Sequence, residues 1–256
     1  MRDPHVKSIR YRLDTGKSVS YENPQPVEIE TQQFSIRLDN GILTCGFKEH
    51  YPSIEKARSA VEGFLRAWEI DVALSRGRGE FNFIYENAEV IDRNPPPSKS
   101  IQIEVGELII AHGVVSAELH VTRNKYPEPP KLFTLTPDVE TLWHRYEGYL
   151  QGKEPLLSMA YFCLTFIETI SGGRKPVAIR YNVEFDVLNE LGKLTSSRGE
   201  GKTARKIKRG SGFSPLSPQE ITWIETAIKA LIRRVGECSP GVLLPKLKMS
   251  DLPTMV

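Results

Sequence analysis

FSIRLDNGILTCGF, residues Phe34 to Phe47, decides how the first half of the chain folds. Apolar residues alternate with polar ones on both sides of Asn40-Gly41, and Asn-Gly readily takes the two positive φ angles of a type I′ hairpin turn. The stretch therefore predicts two antiparallel strands with one buried face. Outward from it, EFNFIYE (80–86), SIQIEV (100–105) and VVSAELHVTR (114–123) alternate in the same way. In the last, Val115, Ala117, Leu119 and Val121 share one side, and Ser116, Glu118, His120 and Thr122 the other. One segment breaks the period: Ile54, Ala57, Val61, Phe64, Leu65, Trp68 and Val72 recur at helical spacing, from an N-cap at Ser53 to the Arg-Gly-Arg-Gly break at 76–79. An antiparallel sheet with one covering helix accounts for this half.

NPPPSKS (94–100) reads as a loop within it, and NKYPEPPK (124–131) as the linker to a second half with a different period. Thr136-Pro137-Asp138 opens a helix with a cap, a proline in its first turn and an acid beside the positive end of the helix dipole. Val139, Leu142, Trp143, Tyr146, Tyr149 and Leu150 form its apolar stripe. Glu154 to Ile170 is apolar nearly all round, as a central helix is, and stops at Gly172-Gly173. A third helix is predicted from Asn182 to Leu194. A fourth begins with the capping box Ser217-Pro218-Gln219-Glu220 and carries Ile221, Ile224, Ala227, Ile228, Leu231, Ile232 and Val235. The predicted fold class is α+β: a β-rich domain over 1–125, then a four-helix bundle over 126–256 with a proline-broken, extended C-terminal tail.

A chain of 256 residues can bury a core without disulfide or metal staples. Its three cysteines, Cys45, Cys163 and Cys238, form no C-x-x-C pair and read as reduced thiols. MRDPHVKSIRYR has no apolar core of a signal peptide, and the longest apolar run, Pro155 to Ile167, falls short of the ~20 residues that span a bilayer. The expected location is the cytoplasm, with no membrane partner.

Charge is unevenly placed. Residues 1–125 carry 16 Lys/Arg against 18 Asp/Glu, and residues 126–256 carry 18 against 14, so the halves are −2 and +4. The run SSRGEGKTARKIKRGSG (196–212) holds Arg198, Lys202, Arg205, Lys206, Lys208 and Arg209 against Glu200 alone, a local +5. These six cations are the candidate contacts for an anion or a nucleic acid, because flexible Lys and Arg side chains neutralise phosphates without a fixed fold. Aromatic interleaving, which would mark base stacking, is absent before Phe213.

The same run contains Gly-Lys-Thr, the end of a phosphate-cradling P-loop. That motif needs a glycine five residues before its last glycine, a strand before it and a packed helix after it. Here Ser196 holds the first position, a helical segment precedes and a polar one follows. Nucleoside triphosphate binding is therefore not expected. Glu140, His144 and Glu147 share one helix face, but no second Glu-x-x-His helix completes a metal set, so neither metal nor cofactor is expected. No serine or cysteine lies in a G-x-S-x-G elbow.

The layout of a β-rich half, a short helical bundle and a basic stretch before the last helix resembles bacterial HEPN-type proteins, many of which act on RNA. The resemblance covers the helical half. The family's ribonucleases use an Arg and a His separated by four to six residues; after Arg198 those positions hold Thr203, Ala204 and Arg205, and no histidine follows His144. RYNVEFDVLNELGKL also resembles the second half of a helix-turn-helix, with Asn182 as cap, but Glu184, Asp186 and Glu190 on its exposed face would repel phosphates. The reading is a binding or adaptor protein that meets a phosphate-bearing or acidic partner, nucleic acid among them, through the basic run. The alternative is an RNA-processing or defence-type enzyme without the usual Arg-to-His motif.

Overall fold

The structure is a computed structural model, and residues 3–94, 103–106, 120–199, 214–239 and 241–255 are described. Helices and strands are mixed, and the chain divides into two compact units, Met1–Pro130 and Lys131–Val256.

The first unit is built on a sheet. Its strands are β1 (Pro4–Asp14), β3 (Val27–Glu30), β4 (Phe34–Asp39), β5 (Ile42–Phe47), β6 (Asn82–Asp92) and β7 (Ile103–Gly106), in the order β3-β4-β5-β1-β6-β7. Every neighbouring pair in it is antiparallel. β4 and β5 are the hairpin of the opening stretch, with Leu38 opposite Leu43 and the turn made by Asn40 and Gly41 at φ 49° and 75°. Helix α1 (Ile54–Arg76) starts at Ser53, whose hydroxyl accepts from the Lys56 amide at 3.4 Å. It packs Ala57, Val61, Leu65, Trp68 and Val72 into one core with Ile9, Tyr11, Ile36, Leu38, Leu43 and Cys45. β1 shows the physical pattern at its plainest: Val6, Ile9, Tyr11 and Leu13 are buried, while Lys7, Arg10 and Arg12 are exposed between them.

Two features of this unit were not encoded locally. β2 (Val19–Gln25) leaves the antiparallel sheet and pairs in parallel with β8 (Val121–Lys125), Ser20 opposite Thr122. Alternation specifies a buried face but not a partner, and about a hundred residues of intervening chain allow the parallel direction. Within 114–123, residues 114–119 lie outside the described set; His120 is exposed and precedes the strand. Second, Tyr126 is buried, packs on Tyr21 with ring centroids 4.8 Å apart, and its hydroxyl accepts from the Gly41 amide at 2.8 Å. The proline-rich linker thus keeps its first residues on the first unit, and the division falls after Pro130.

In the second unit the described residues form five α-helices where four were expected: α2 (Pro137–Leu150), α3 (Leu156–Ser171), α4 (Arg174–Arg180), α5 (Phe185–Ser197) and α6 (Pro218–Glu237). The additional one, α4, is two turns long, too short to show an amphipathic period, and is bent 82° from α3 at Gly172-Gly173. Gly172 closes α3 in the left-handed region at φ 83°. α5 begins at Phe185 rather than Asn182. Asn182 takes a left-handed φ of 48°, and its side chain donates to the Leu244 carbonyl at 2.8 Å instead of capping a helix. The helix-turn-helix reading loses its cap with that residue.

The predicted cap and capping box both form: the Val139 amide donates to Thr136 Oγ1 at 3.2 Å, and Ser217 and Glu220 exchange bonds of 2.8 and 3.1 Å. The tail, expected to be extended, meets this unit near Val183 and Glu184 and includes a short 3-10 turn at Met249–Asp251. Leu247 bridges Val183, and the Met249 amide donates to Glu184 at 2.8 Å. No single helix among the described residues is long and apolar enough to cross a membrane.

Candidate functional site

The basic run starts where α5 ends. Thr195, Ser196 and Ser197 all turn their hydroxyls back onto helix carbonyls one turn earlier, at 2.8, 2.6 and 2.7 Å, so all three hydroxyls are taken up by the helix itself. Ser196, the first position of the P-loop pattern, is thus a helical residue, and the strand that a phosphate cradle requires is replaced by α5.

Beyond the helix, Arg198 is extended and Gly199 takes a φ of 131° that favours glycine. The Gly199 amide donates to the Ser214 carbonyl at 2.9 Å, forming an antiparallel bridge. Arg198 reaches across the same junction. Its Nε and Nη2 approach Glu220 Oε1 at 2.9 and 2.7 Å, and its Nη1 donates to Ser214 Oγ at 2.5 Å. Glu220 is almost completely buried, and its other oxygen accepts the Ser217 amide. One carboxylate therefore caps α6 and clamps the end of α5, closing a stem that joins Arg198 and Gly199 to Ser214 and Glu220.

Among the six predicted contact residues, the structure gives Arg198 this structural partner. Lys202, Arg205, Lys206, Lys208 and Arg209 lie outside the described residues. Taken alone, 200–213 holds those five cations against Glu200, a net +4, and the remainder of residues 126–256 balances at 13 Lys/Arg against 13 Asp/Glu.

Beside the stem lies a cleft of about 300 Å³ lined by Tyr149, Leu156, Leu157, Gly199, Leu216 and Ile221. The Tyr149 hydroxyl donates to Glu225, and burial first, then the Glu225 carboxylate, pushes its pKa well above the usual phenol value. A second, more polar cleft of about 700 Å³ brings His144 and Glu147 together with Arg145, Lys153 and Glu154. Arg145 bonds Glu154 at 3.3 Å and lies 4.1 Å from the centre of the Phe162 ring. Among the described residues no group of three His, Cys, Asp or Glu has metal-binding geometry. Cys45 and Cys163 are buried in apolar surroundings that push both thiols up to about 12.

No protein-family model matches this chain, and neither a curated protein nor a solved structure shows significant similarity to it.

Proposed function

We propose that the chain is a cytosolic binding protein whose 200–213 segment engages a phosphate-bearing or acidic partner, single-stranded nucleic acid being the partner most directly testable. The observation that supports it is the stem. Glu220 takes up the charge of Arg198, so the five cations of the segment stand against one acid on a chain length closed at its base by Gly199 and Ser214. A charge of this density over a short closed segment favours polyanions through counterion release and carries no means of reading base edges.

The test is binding of a fluorescent single-stranded oligonucleotide at several salt concentrations. If four of the five cations meet phosphates, the log–log slope is about −3, from about 0.7 counterions released per contact. Replacing Lys202, Arg205, Lys206, Lys208 and Arg209 together by glutamine should flatten that slope and leave the melting curve in place. Absence of binding at low salt to DNA, RNA and heparin alike would reject the proposal.

A further inference from the structure

Ser20 and His120, a hundred positions apart in sequence, meet in the first unit. The parallel register sets Ser20 opposite Thr122, and the Val121 amide donates to the Ser18 carbonyl at 2.8 Å, which holds His120 at the start of β8. His120 Nδ1 lies 3.2 Å from the Lys17 carbonyl oxygen, and its Nε2 lies 2.9 Å from Ser20 Oγ. A carbonyl can only accept, so Nδ1 carries the proton. In the neutral ring Nε2 is then the acceptor, and the Ser20 hydroxyl donates to it. A hydroxyl bonded to an imidazole whose far nitrogen is oriented by a third group is the arrangement of an activated serine nucleophile.

Ser20 adjoins a usable space. Ser20 lines a cleft of about 540 Å³ together with Leu13, Tyr21, Asn23, Asn40 and Tyr126. Of the three described non-glycine residues with positive φ, Asn23 at 44° and Asn40 at 49° both lie in this wall. Asn23 falls in the stretch between Tyr21 and Gln25 where β2 drops out of register with β8. The aromatic and leucine surfaces suit an apolar acyl group, and Glu22, also in the lining, disfavours an anionic one. Thr122 Oγ1, 3.5 Å from Ser20 Oγ, is a hydroxyl donor beside the attacking oxygen.

We infer that Ser20 and His120 form an acyl-transfer site for uncharged carboxylic esters, separate from the basic segment. Ser20 Oγ bonds to the ester carbonyl carbon while its proton passes to His120 Nε2. The carbon–alkoxy bond then breaks, and the alkoxide leaves as the alcohol with that proton. Water, giving a proton to Nε2, attacks the acyl-serine; the acid departs and Ser20 regains its hydrogen. Ester and water are consumed, and acid and alcohol are formed.

The experiment treats the full chain with p-nitrophenyl acetate and, separately, with a fluorophosphonate probe, followed by intact mass and peptide mapping. One adduct per chain on Ser20 is expected in the native protein and none in guanidinium, because the pair exists only in the fold. Ser20→Ala should abolish the adduct, and His120→Gln should slow its formation by about 100-fold. The inference is overturned if neither probe labels Ser20 in the native chain. It is equally overturned if labelling persists in guanidinium, or if it proceeds at the native rate in a folded His120→Gln protein.

Discussion

Replacing Glu220 by alanine tests the stem, because one side chain serves both of its sides. The Ser217 amide loses its acceptor at 2.8 Å, and the capping box opens, at a cost of about 1 kcal/mol. Arg198 loses both approaches to Oε1. With side chains 11% exposed for Glu220 and 37% for Arg198, the pair sits between a surface ion pair of about 0–1 kcal/mol and a fully buried one whose disruption costs about 3–5 kcal/mol, so about 2 kcal/mol is expected.

Together these make about 3 kcal/mol, or about a 10 °C fall in melting temperature for a unit of this size. Arg198→Ala leaves the capping bond intact but removes both the pair and the bond to Ser214, and should cost about 3 kcal/mol. Since the pair can be lost only once, the double variant should cost about 1 kcal/mol more than Glu220→Ala alone, the share of the Arg198 bond to Ser214. The coupling would then be about 2 kcal/mol in a double-mutant cycle read by guanidinium denaturation and far-UV circular dichroism. Additivity within about 0.5 kcal/mol would refute the clamp. Arg198 would then be free to join the other five cations, and the salt slope for oligonucleotide binding would fall on its removal.

Gly236 should not accept a side chain: a Cβ there would come within 2.4 Å of the Phe133 ring, whose segment is fixed by the Thr134 amide bonding the Gly236 carbonyl at 2.9 Å. Gly236→Ala is expected to cost about 1–3 kcal/mol, with partial recovery when Phe133→Leu is added, measured by denaturant midpoint. In native protein at pH 8, a thiol reagent should modify Cys238 alone, with Cys45 and Cys163 reacting only on unfolding, as mass mapping will show. The sign of the pH effect follows from the raised values. Folded Cys45 and Cys163 keep their protons up to about 12, while unfolded thiols lose theirs from about 9, so these two groups subtract stability as pH rises through that interval and leave it unchanged below.

Legibility differed by element and for physical reasons. The Asn40-Gly41 hairpin, the caps at Ser53 and Thr136, and the Ser217–Glu220 box formed at the expected positions because each rests on bonds between residues at most three apart or on backbone angles that few residue types adopt. α4 was missed because seven residues complete too few turns to repeat an apolar stripe. Asn182 was misplaced because an asparagine serves equally as a helix cap or as a left-handed terminator, and the deciding partner, the Leu244 carbonyl, lies 62 positions away. Arg198 counted as one of six like charges in the sequence; only the fold shows a buried carboxylate 22 positions on that claims it.

By itself the sequence determined what local chemistry can determine: the change of period from strands to helices, the turns and caps that punctuate them, and the concentration of positive charge between α5 and α6. The tertiary structure alone decided the partners. Parallel pairing of β2 with β8 put Ser20 against His120, and closure of the stem put Arg198 against Glu220. Hydrophobic periodicity records which face of a segment avoids water, a property each segment carries alone. Which polar groups meet depends on how distant segments pack, and no short stretch of the chain contains that information.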